Sequence, residues 1–257
     1  MTAINRLGDA SHISVGVNDL AASFEFYKIF GFRNVLEGKS PCPWMFITDE
    51  SVLISLRQEE RSYLCLTYYA LDMDERVKAI RTEGIRFRDY GHDSGAGREW
   101  WFTTLDGFEV QLIQGVVEST YQPEGKDVFS FPEEDFIFPD RYPNPVCGIY
   151  GELFHRVKDL KTSIQYWEKL GFETKQYHRG PHPYAVMTDG MNIMGLHHNT
   201  DLYLPGLTYF APDMGNRIEK IKTGGFNRMR DVSGTGGGAD NVAARTPDGH
   251  VIYLFSF

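Results

Sequence analysis

An internal duplication constrains the fold of this chain more than any other feature of its sequence. Short segments recur at an offset of about 140 residues, in one unbroken order. The clearest matches are Val17, Asp19, Leu20 and Ser23 with Val157, Asp159, Leu160 and Ser163, Gly31 with Gly171, Pro41 and Pro43 with Pro181 and Pro183, and Asp49 with Asp189. With a small shift in register, Leu66-Thr67-Tyr68 and Asp106-Gly107 match Leu207-Thr208-Tyr209 and Asp248-Gly249. Because the order is kept, we predict two modules of one fold.

The spacing of the copies divides the chain into three parts. We predict a first module over 1–115, a linker over 116–145 and a second module over 146–257. The linker is rich in proline, acidic and aromatic residues, which is typical of an extended segment laid across a surface. Hydrophobic residues make up 42% of the chain, which is enough to form a core in each module.

Hydrophobic periodicity predicts the same elements in both copies. Apolar side chains alternate over 12–17, as in a half-buried strand, and helical spacing then runs from a cap at Asn18 or Asp19 to Gly31. Further strands are predicted at 44–48, 52–56 and 64–70, a helix at 74–84, and strands at 86–90, 100–104 and 108–113. We therefore predict an α+β fold in which each module is a pair of strand–helix–strand units.

Charge and cysteine content exclude several functional classes. The net charge is −9 and the basic residues form no run, so phosphate backbones and anionic membrane surfaces would be repelled. The 3 cysteines fit neither a disulfide framework nor a zinc-binding motif. No apolar run of about 18 residues occurs. We expect a cytoplasmic protein, monomeric or homodimeric, that binds a small molecule and neither nucleic acid nor membrane.

Each copy carries the same motifs in the same order. A first strand carries His12 or Glu152, an Asp-Leu helix and a Gly-Phe pair follow, and the copy ends in a D-G-x-x-(V/I)-x-L strand. In this pattern the chain resembles the vicinal oxygen chelate superfamily, which includes glyoxalase I, bleomycin-resistance and fosfomycin-resistance proteins, and extradiol dioxygenases. The resemblance implies tandem βαβββ modules whose curved mixed or antiparallel sheets surround a cleft. It says little about function, because one fold hosts many chemistries.

The resemblance also implies positions for metal ligands. In metal-using members the ligands come from the first strand and from the residue five after the Asp of the D-G turn, which here are His12, Gln111, Glu152 and Tyr253. Imidazole, amide and carboxylate groups from His12, Gln111 and Glu152 would hold a divalent ion such as Zn, Ni, Mn or Fe and leave positions open for substrate. Tyr253 argues against a metal, because metal-using relatives carry a carboxylate there.

Alternation along the strands predicts a ligand-binding face. Residues two apart share a face, so Ser14, Glu109 and Arg156 lie on the same side of their sheets as the predicted metal ligands. We expect the two modules to close this face around one shared cavity. The predicted ligand-binding side chains are Ser14, Trp44, Tyr68, Trp100, Arg156, Tyr184, Tyr209 and Tyr253. The alternative is that this face is simply the solvated side of an antiparallel sheet.

The other histidines are predicted to lie in the core, at the rim of the cleft or in a turn. His155 faces the helices by strand phase, which predicts a packed core or interface residue. His197 and His198 follow a strand and are interpreted as part of a solvated turn, whereas His178 and His182 are placed at the rim of the cleft.

Two functions from different classes follow. The favoured one is a metal-free protein that binds an aromatic or amphiphilic small molecule in a cleft between the modules. The alternative is a metal-dependent lyase or isomerase of the glyoxalase I type, in which Glu109 or Glu152 moves a proton near a chelated substrate carbonyl. An extradiol dioxygenase is less favoured, because its iron site resembles two His and one carboxylate within one half, and the second copy offers Glu152, Thr208 and Tyr253.

Overall fold

A computed structural model describes residues 7–93, 98–117, 127–198, 200–232 and 240–256. The first module consists of β1 Ala10–Val17, α1 Leu20–Ile29, β2 Arg33–Gly38, β3 Trp44–Thr48, β4 Leu53–Gln58, β5 Tyr63–Ala70, α2 Met73–Thr82, β6 Phe87–Asp93, β7 Arg98–Thr103 and β8 Glu109–Gln114. The second consists of β9 Ile149–Arg156, α3 Leu160–Lys169, β10 Glu173–His178, β11 Tyr184–Thr188, β12 Ile193–His197, β13 Gly206–Phe210, α4 Met214–Thr223, β14 Met229–Asp231, β15 Val242–Arg245 and β16 Val251–Phe255.

Each module forms its own 8-stranded mixed sheet. The strand orders are β2-β3-β4-β1-β5-β8-β7-β6 and β10-β11-β12-β9-β13-β16-β15-β14, so the second sheet repeats the first. The first strand of each module pairs in parallel with the fourth and antiparallel with the fifth. The predicted α+β fold of tandem βαβββ units is confirmed. None of the described helices has the length and apolarity needed to span a bilayer.

The ends of the helices are formed by the residues that the sequence indicates. Asp19 Oδ1 accepts a hydrogen bond from Ala22 N at 3.0 Å, and Asp159 Oδ1 accepts one from Thr162 N at 2.7 Å, so both helices begin at an aspartate cap. Gly31 follows the first helix with a φ of 88°, a conformation that favours glycine. The sequence did not indicate β2 and β10, because both are largely exposed strands at sheet edges and lack apolar alternation.

One face of each sheet packs into a core that the modules share. Val15 and Leu112 of the first module belong to the same buried cluster as Leu153 and Leu254 of the second. His155 is buried against Phe108 of the first module, with ring centroids 5.2 Å apart, as the strand phase predicts. Burial lowers the pKa of His155, which keeps its ring neutral in this apolar setting.

Four aspartates of the repeat join the modules reciprocally. Tyr68 OH donates to Asp189 Oδ2 at 2.6 Å, and Tyr209 OH donates to Asp49 Oδ2 at 2.5 Å. Ser23 Oγ donates to Asp248 at 2.5 Å, and Ser163 Oγ donates to Asp106. Each contact in one direction has its counterpart in the other. The repeated residues Asp49, Ser23 and Asp106 therefore serve the docking of the modules.

The described part of the linker does more than cover the surface. It contains two short 3-10 helices, Glu133–Asp135 and Pro139–Arg141. Phe131 and Tyr142 are buried in the shared core, and Asn144 Nδ2 donates to both Phe30 O and Asp49 Oδ2 at 3.0 Å. The linker is thus an integral part of the interface.

Candidate functional site

A cavity of about 740 Å³ lies on the face of the second sheet that is opposite the shared core. Its wall comes from β9, β10, β11, β12, β13 and β16, so the sheet wraps around it; the linker closes one side with Val128, Phe129 and Phe136. The other lining residues are Gly151, Glu152, Phe154, Gln176, His178, Pro181, His182, Tyr184, Val186, His197, Thr200, Leu202, Phe210, Asn241, Phe255 and Ser256. The predicted rim positions of His178 and His182 agree with this lining.

A carboxylate–imidazole pair is the central polar feature of the cavity. Glu152 on β9 is 5% exposed, and its Oε1 lies 2.5 Å from His197 Nε2 at the end of β12. With an ionised carboxylate as acceptor, the imidazole Nε2–H is the donor. Gly195 makes room for this pair, because a Cβ at that position would lie 2.0 Å from Glu152 Cδ. The sequence assigned His197 to a turn, and this assignment was wrong.

Aromatic rings surround the pair. Tyr184 stacks between His178 and His197, with centroids 5.2 Å apart on both sides. Phe154 lies 4.6 Å from the His197 ring and 5.2 Å from Tyr253, which stacks on Phe255 at 5.9 Å. The result is a continuous aromatic wall with one buried acid at its centre.

On the matching face of the first sheet, polar side chains form hydrogen bonds with one another. Ser14 Oγ and Thr67 Oγ1 are 2.7 Å apart, Thr67 Oγ1 donates to Gln111 Oε1 at 3.0 Å, and Gln111 Nε2 donates to Glu99 Oε2 at 2.8 Å. Ser14, Thr67 and Gln111 are all buried. The predicted roles of Ser14 in ligand binding and of Gln111 in metal binding do not fit this closed hydrogen-bond network.

Solved structures of similar fold are extradiol dioxygenases. Homoprotocatechuate 2,3-dioxygenase from Arthrobacter globiformis matches with a TM-score of 0.61 and 16% identity, covering 98% of this chain and 80% of that one. A B. fuscum variant of the enzyme in complex with HPCA matches at 0.60 and 16%, covering 98% and 72%. BphC, a halotolerant catechol dioxygenase, matches at 0.55 and 13%, covering 99% and 88%. No protein-family model and no curated protein matches the sequence.

The chain therefore shares the tandem-module fold of these dioxygenase structures. In this fold each sheet carries its own concave face, which corrects the expected placement of one cavity shared by His12 and Glu152. Glu152 lines the cavity of the second module, whereas His12 lines a separate space of about 400 Å³ where the modules meet, together with Ser51, Tyr150 and Asn192. The two residues do not form one site.

The residues at the positions where the sequence resemblance implies metal ligands do not fit a metal ion. The register sets His12, Thr67 and Gln111 side by side in the first sheet. In the second sheet Glu152, Thr208 and Tyr253 form the corresponding row.

The second row offers a single anionic ligand. Thr208 Oγ1 forms hydrogen bonds with the backbone N–H and carbonyl of Glu152. Tyr253 OH donates a hydrogen bond to Leu204 O at 2.9 Å. Burial raises the pKa of Tyr253 to about 12, so its phenol keeps its proton. Within the described ranges, no three His, Cys, Asp or Glu side chains come together as a metal-binding group. The structure does not bring the predicted metal set His12, Gln111 and Glu152 together, because His12 and Glu152 line separate cavities.

Other predicted site residues lie elsewhere. Tyr68, Trp100 and Tyr209 belong to the shared core, so their assignment to the cavity was wrong: alternation places them on the opposite face of their strands. Glu109 forms ion pairs with Arg61 at 2.8 Å and Arg88 at 2.5 Å on the first sheet. Of the two predicted proton-transfer candidates, Glu152 lines the cavity and Glu109 does not.

The four remaining predicted ligand-binding residues lie in different places. Trp44 lies on β3 of the first sheet, where its Nε1 donates to Ser40 O at 3.1 Å. Arg156 is exposed at the end of β9 and is absent from the cavity wall. Of the predicted ligand-binding residues, Tyr184 lines the cavity, and Tyr253 packs directly behind it in a cluster with Phe154.

The burial of His12 leads to a pH-dependent stability. Desolvation, aided by the charge of Arg57, lowers the pKa of His12 to about 3. Between pH 6.5 and 3 the unfolded chain therefore binds a proton at His12 that the folded chain does not, and stability falls as pH falls through this window. When the pH falls from 6.5 to 5, we expect wild type to lose about 2 kcal/mol more of its unfolding free energy than His12→Leu loses. Urea denaturation at both values measures this; equal losses in wild type and variant would contradict it.

Proposed function

We propose that this protein binds a small aromatic molecule in the cavity of its second module, and that binding needs no metal ion. The observation that carries the proposal is the aromatic wall around the buried Glu152–His197 pair. Ligand sites in proteins are concave and largely apolar, with few polar groups that fix orientation, and this cavity has that composition.

The shape of the wall indicates a planar ligand. Phe154, Tyr184 and Phe255 present ring faces or edges toward a volume of about 740 Å³, which exceeds what a single aromatic ring fills. Offset-stacked and edge-to-face contacts with such rings contribute about 0.5–1.5 kcal/mol each beyond their area burial. The Glu152–His197 pair accepts or donates hydrogen bonds at the polar end of the ligand.

Matched aromatic substitutions test this function. Isothermal titration with 2-phenylethanol, a neutral probe, is carried out on wild type, Tyr184→Ala and Trp44→Ala. Tyr184 and Trp44 occupy equivalent positions, paired with His197 and Arg57 respectively. We expect Tyr184→Ala to weaken binding about tenfold, the equivalent of about 1.4 kcal/mol, and Trp44→Ala to leave it unchanged. Absence of saturable binding, or equal effects of both substitutions, would contradict the proposal.

A metal-dependent dioxygenase is the second candidate, because the solved structures of similar fold are named as dioxygenases, one of them as an extradiol ring-cleaving dioxygenase. It requires ligands that Thr208 and Tyr253 do not provide here. The glyoxalase-type lyase has the same requirement. Metal analysis after incubation with Fe, Zn, Ni or Mn distinguishes these functions from simple binding: we expect substoichiometric metal, whereas one equivalent that is lost in Glu152→Ala would favour an enzyme.

A further inference from the structure

We propose that the natural ligand of the second-module cavity carries a cationic amine, which pairs with the carboxylate of Glu152. This inference rests on the proposed function and specifies the ligand class. It follows from the charge of the cavity, the orientation of its rings, and the residue that the first module carries at the equivalent place.

The charge of the cavity favours a cation. Among the described residues of the wall, Glu152 is the one acidic side chain, and neither lysine nor arginine contributes. Three histidines, His178, His182 and His197, also line the wall. A buried carboxylate favours an oppositely charged partner within hydrogen-bond distance, since burial removes the water that would otherwise stabilise its charge.

The ring faces favour the same ligand. Aromatic rings attract cations to their faces, and this attraction grows when the cation is desolvated. Phe154 and Phe255 line the cavity together with the carboxylate, and Gly195 leaves the space in which the carboxylate sits. An ammonium group placed between Glu152 and these rings would gain both an ion pair and cation–π contacts.

The first module fills the equivalent place with a cation of its own. Arg57 pairs with Trp44 across β3 and β4, as His197 pairs with Tyr184 across β11 and β12. The Arg57 side chain is 15% exposed and forms an ion pair with Glu59 at 3.2 Å. The fold therefore accommodates a positive group at this position, where the second module carries His197 in place of an arginine.

A matched series of probes tests the inference. Binding of 2-phenylethylammonium, 2-phenylethanol and phenylacetate is measured at pH 8 by isothermal titration, with wild type and Glu152→Gln. We expect the ammonium to bind wild type about tenfold more tightly than the alcohol, and phenylacetate to bind most weakly. In Glu152→Gln, which keeps a hydrogen-bonding group beside His197, the ammonium and the alcohol should bind equally.

The outcomes separate the two proposals. Equal binding of ammonium and alcohol to wild type, or tightest binding of phenylacetate, overturns the inference and leaves aromatic binding intact. Failure of all three probes overturns the proposed function as well. If Glu152→Gln does not fold, the ranking of the three probes on wild type still decides, and a decrease in ammonium affinity with rising salt, absent for the alcohol, supports the ion pair.

Discussion

Replacing Asp49 with alanine is expected to lower the free energy of unfolding by about 3–5 kcal/mol. The carboxylate is buried and accepts hydrogen bonds from Tyr209 OH at 2.5 Å, Asn144 Nδ2 at 3.0 Å and the backbone N–H groups of Ser51 and Val52 at 3.0 Å. Alanine would leave all four donors buried without this acceptor. The loss falls at the contact between the modules, so both should unfold together.

Urea denaturation followed by circular dichroism measures this effect. Glu25→Ala is a suitable control, because Glu25 forms an exposed ion pair with Lys28 and its removal should change stability little. A loss below about 1 kcal/mol for Asp49→Ala would show that the reciprocal aspartate contacts contribute little to the fold.

Replacing Gly195 with alanine is expected to weaken ligand binding by about a hundredfold, or about 2.7 kcal/mol. The added Cβ would lie 2.0 Å from Glu152 Cδ and 2.2 Å from both carboxylate oxygens. The carboxylate must therefore leave its place beside His197 and enter the cavity. The displaced side chain would occupy ligand volume as well as lose its hydrogen bond.

Ser55→Ala provides the matched control. Ser55 lies on β4 at the place in the first sheet that corresponds to Gly195, two residues before Arg57. Titration with 2-phenylethanol and 2-phenylethylammonium should show full affinity for this variant. Wild-type affinity in Gly195→Ala, with the fold retained, would show that Glu152 has no part in the site.

The architecture was predictable because its signals are local and repeated. Alternation over β1 and the cap at Asp19 need no knowledge of distant contacts, and duplication provides each signal twice. The partners of Tyr68 and Tyr209 were not predictable in this way. Their hydroxyls bind aspartates of the other module, and only the docked structure brings these groups together.

The candidate site was predictable in part. Strand phase correctly placed Glu152 and Phe154 on one face of β9. The same alternation applies to β12, where His197 and Gly195 are two residues apart and so share a face. It would have placed His197 on the face toward Glu152. Which module keeps an open cavity could not be derived, because it depends on side-chain volumes such as that of Arg57, summed over a whole concave surface.

The reciprocal aspartate contacts make the two halves resemble subunits of an isologous pair, since each of these four hydrogen bonds has its counterpart in the opposite direction. Joining the halves in one chain allows their sequences, and therefore their sites, to differ. Identical subunits must carry identical sites, whereas joined halves inherit substitutions independently. One half thus carries a cavity with a buried acid, whereas the matching face of the other carries a network of buried polar side chains, an asymmetry that no homodimer of a single module could encode.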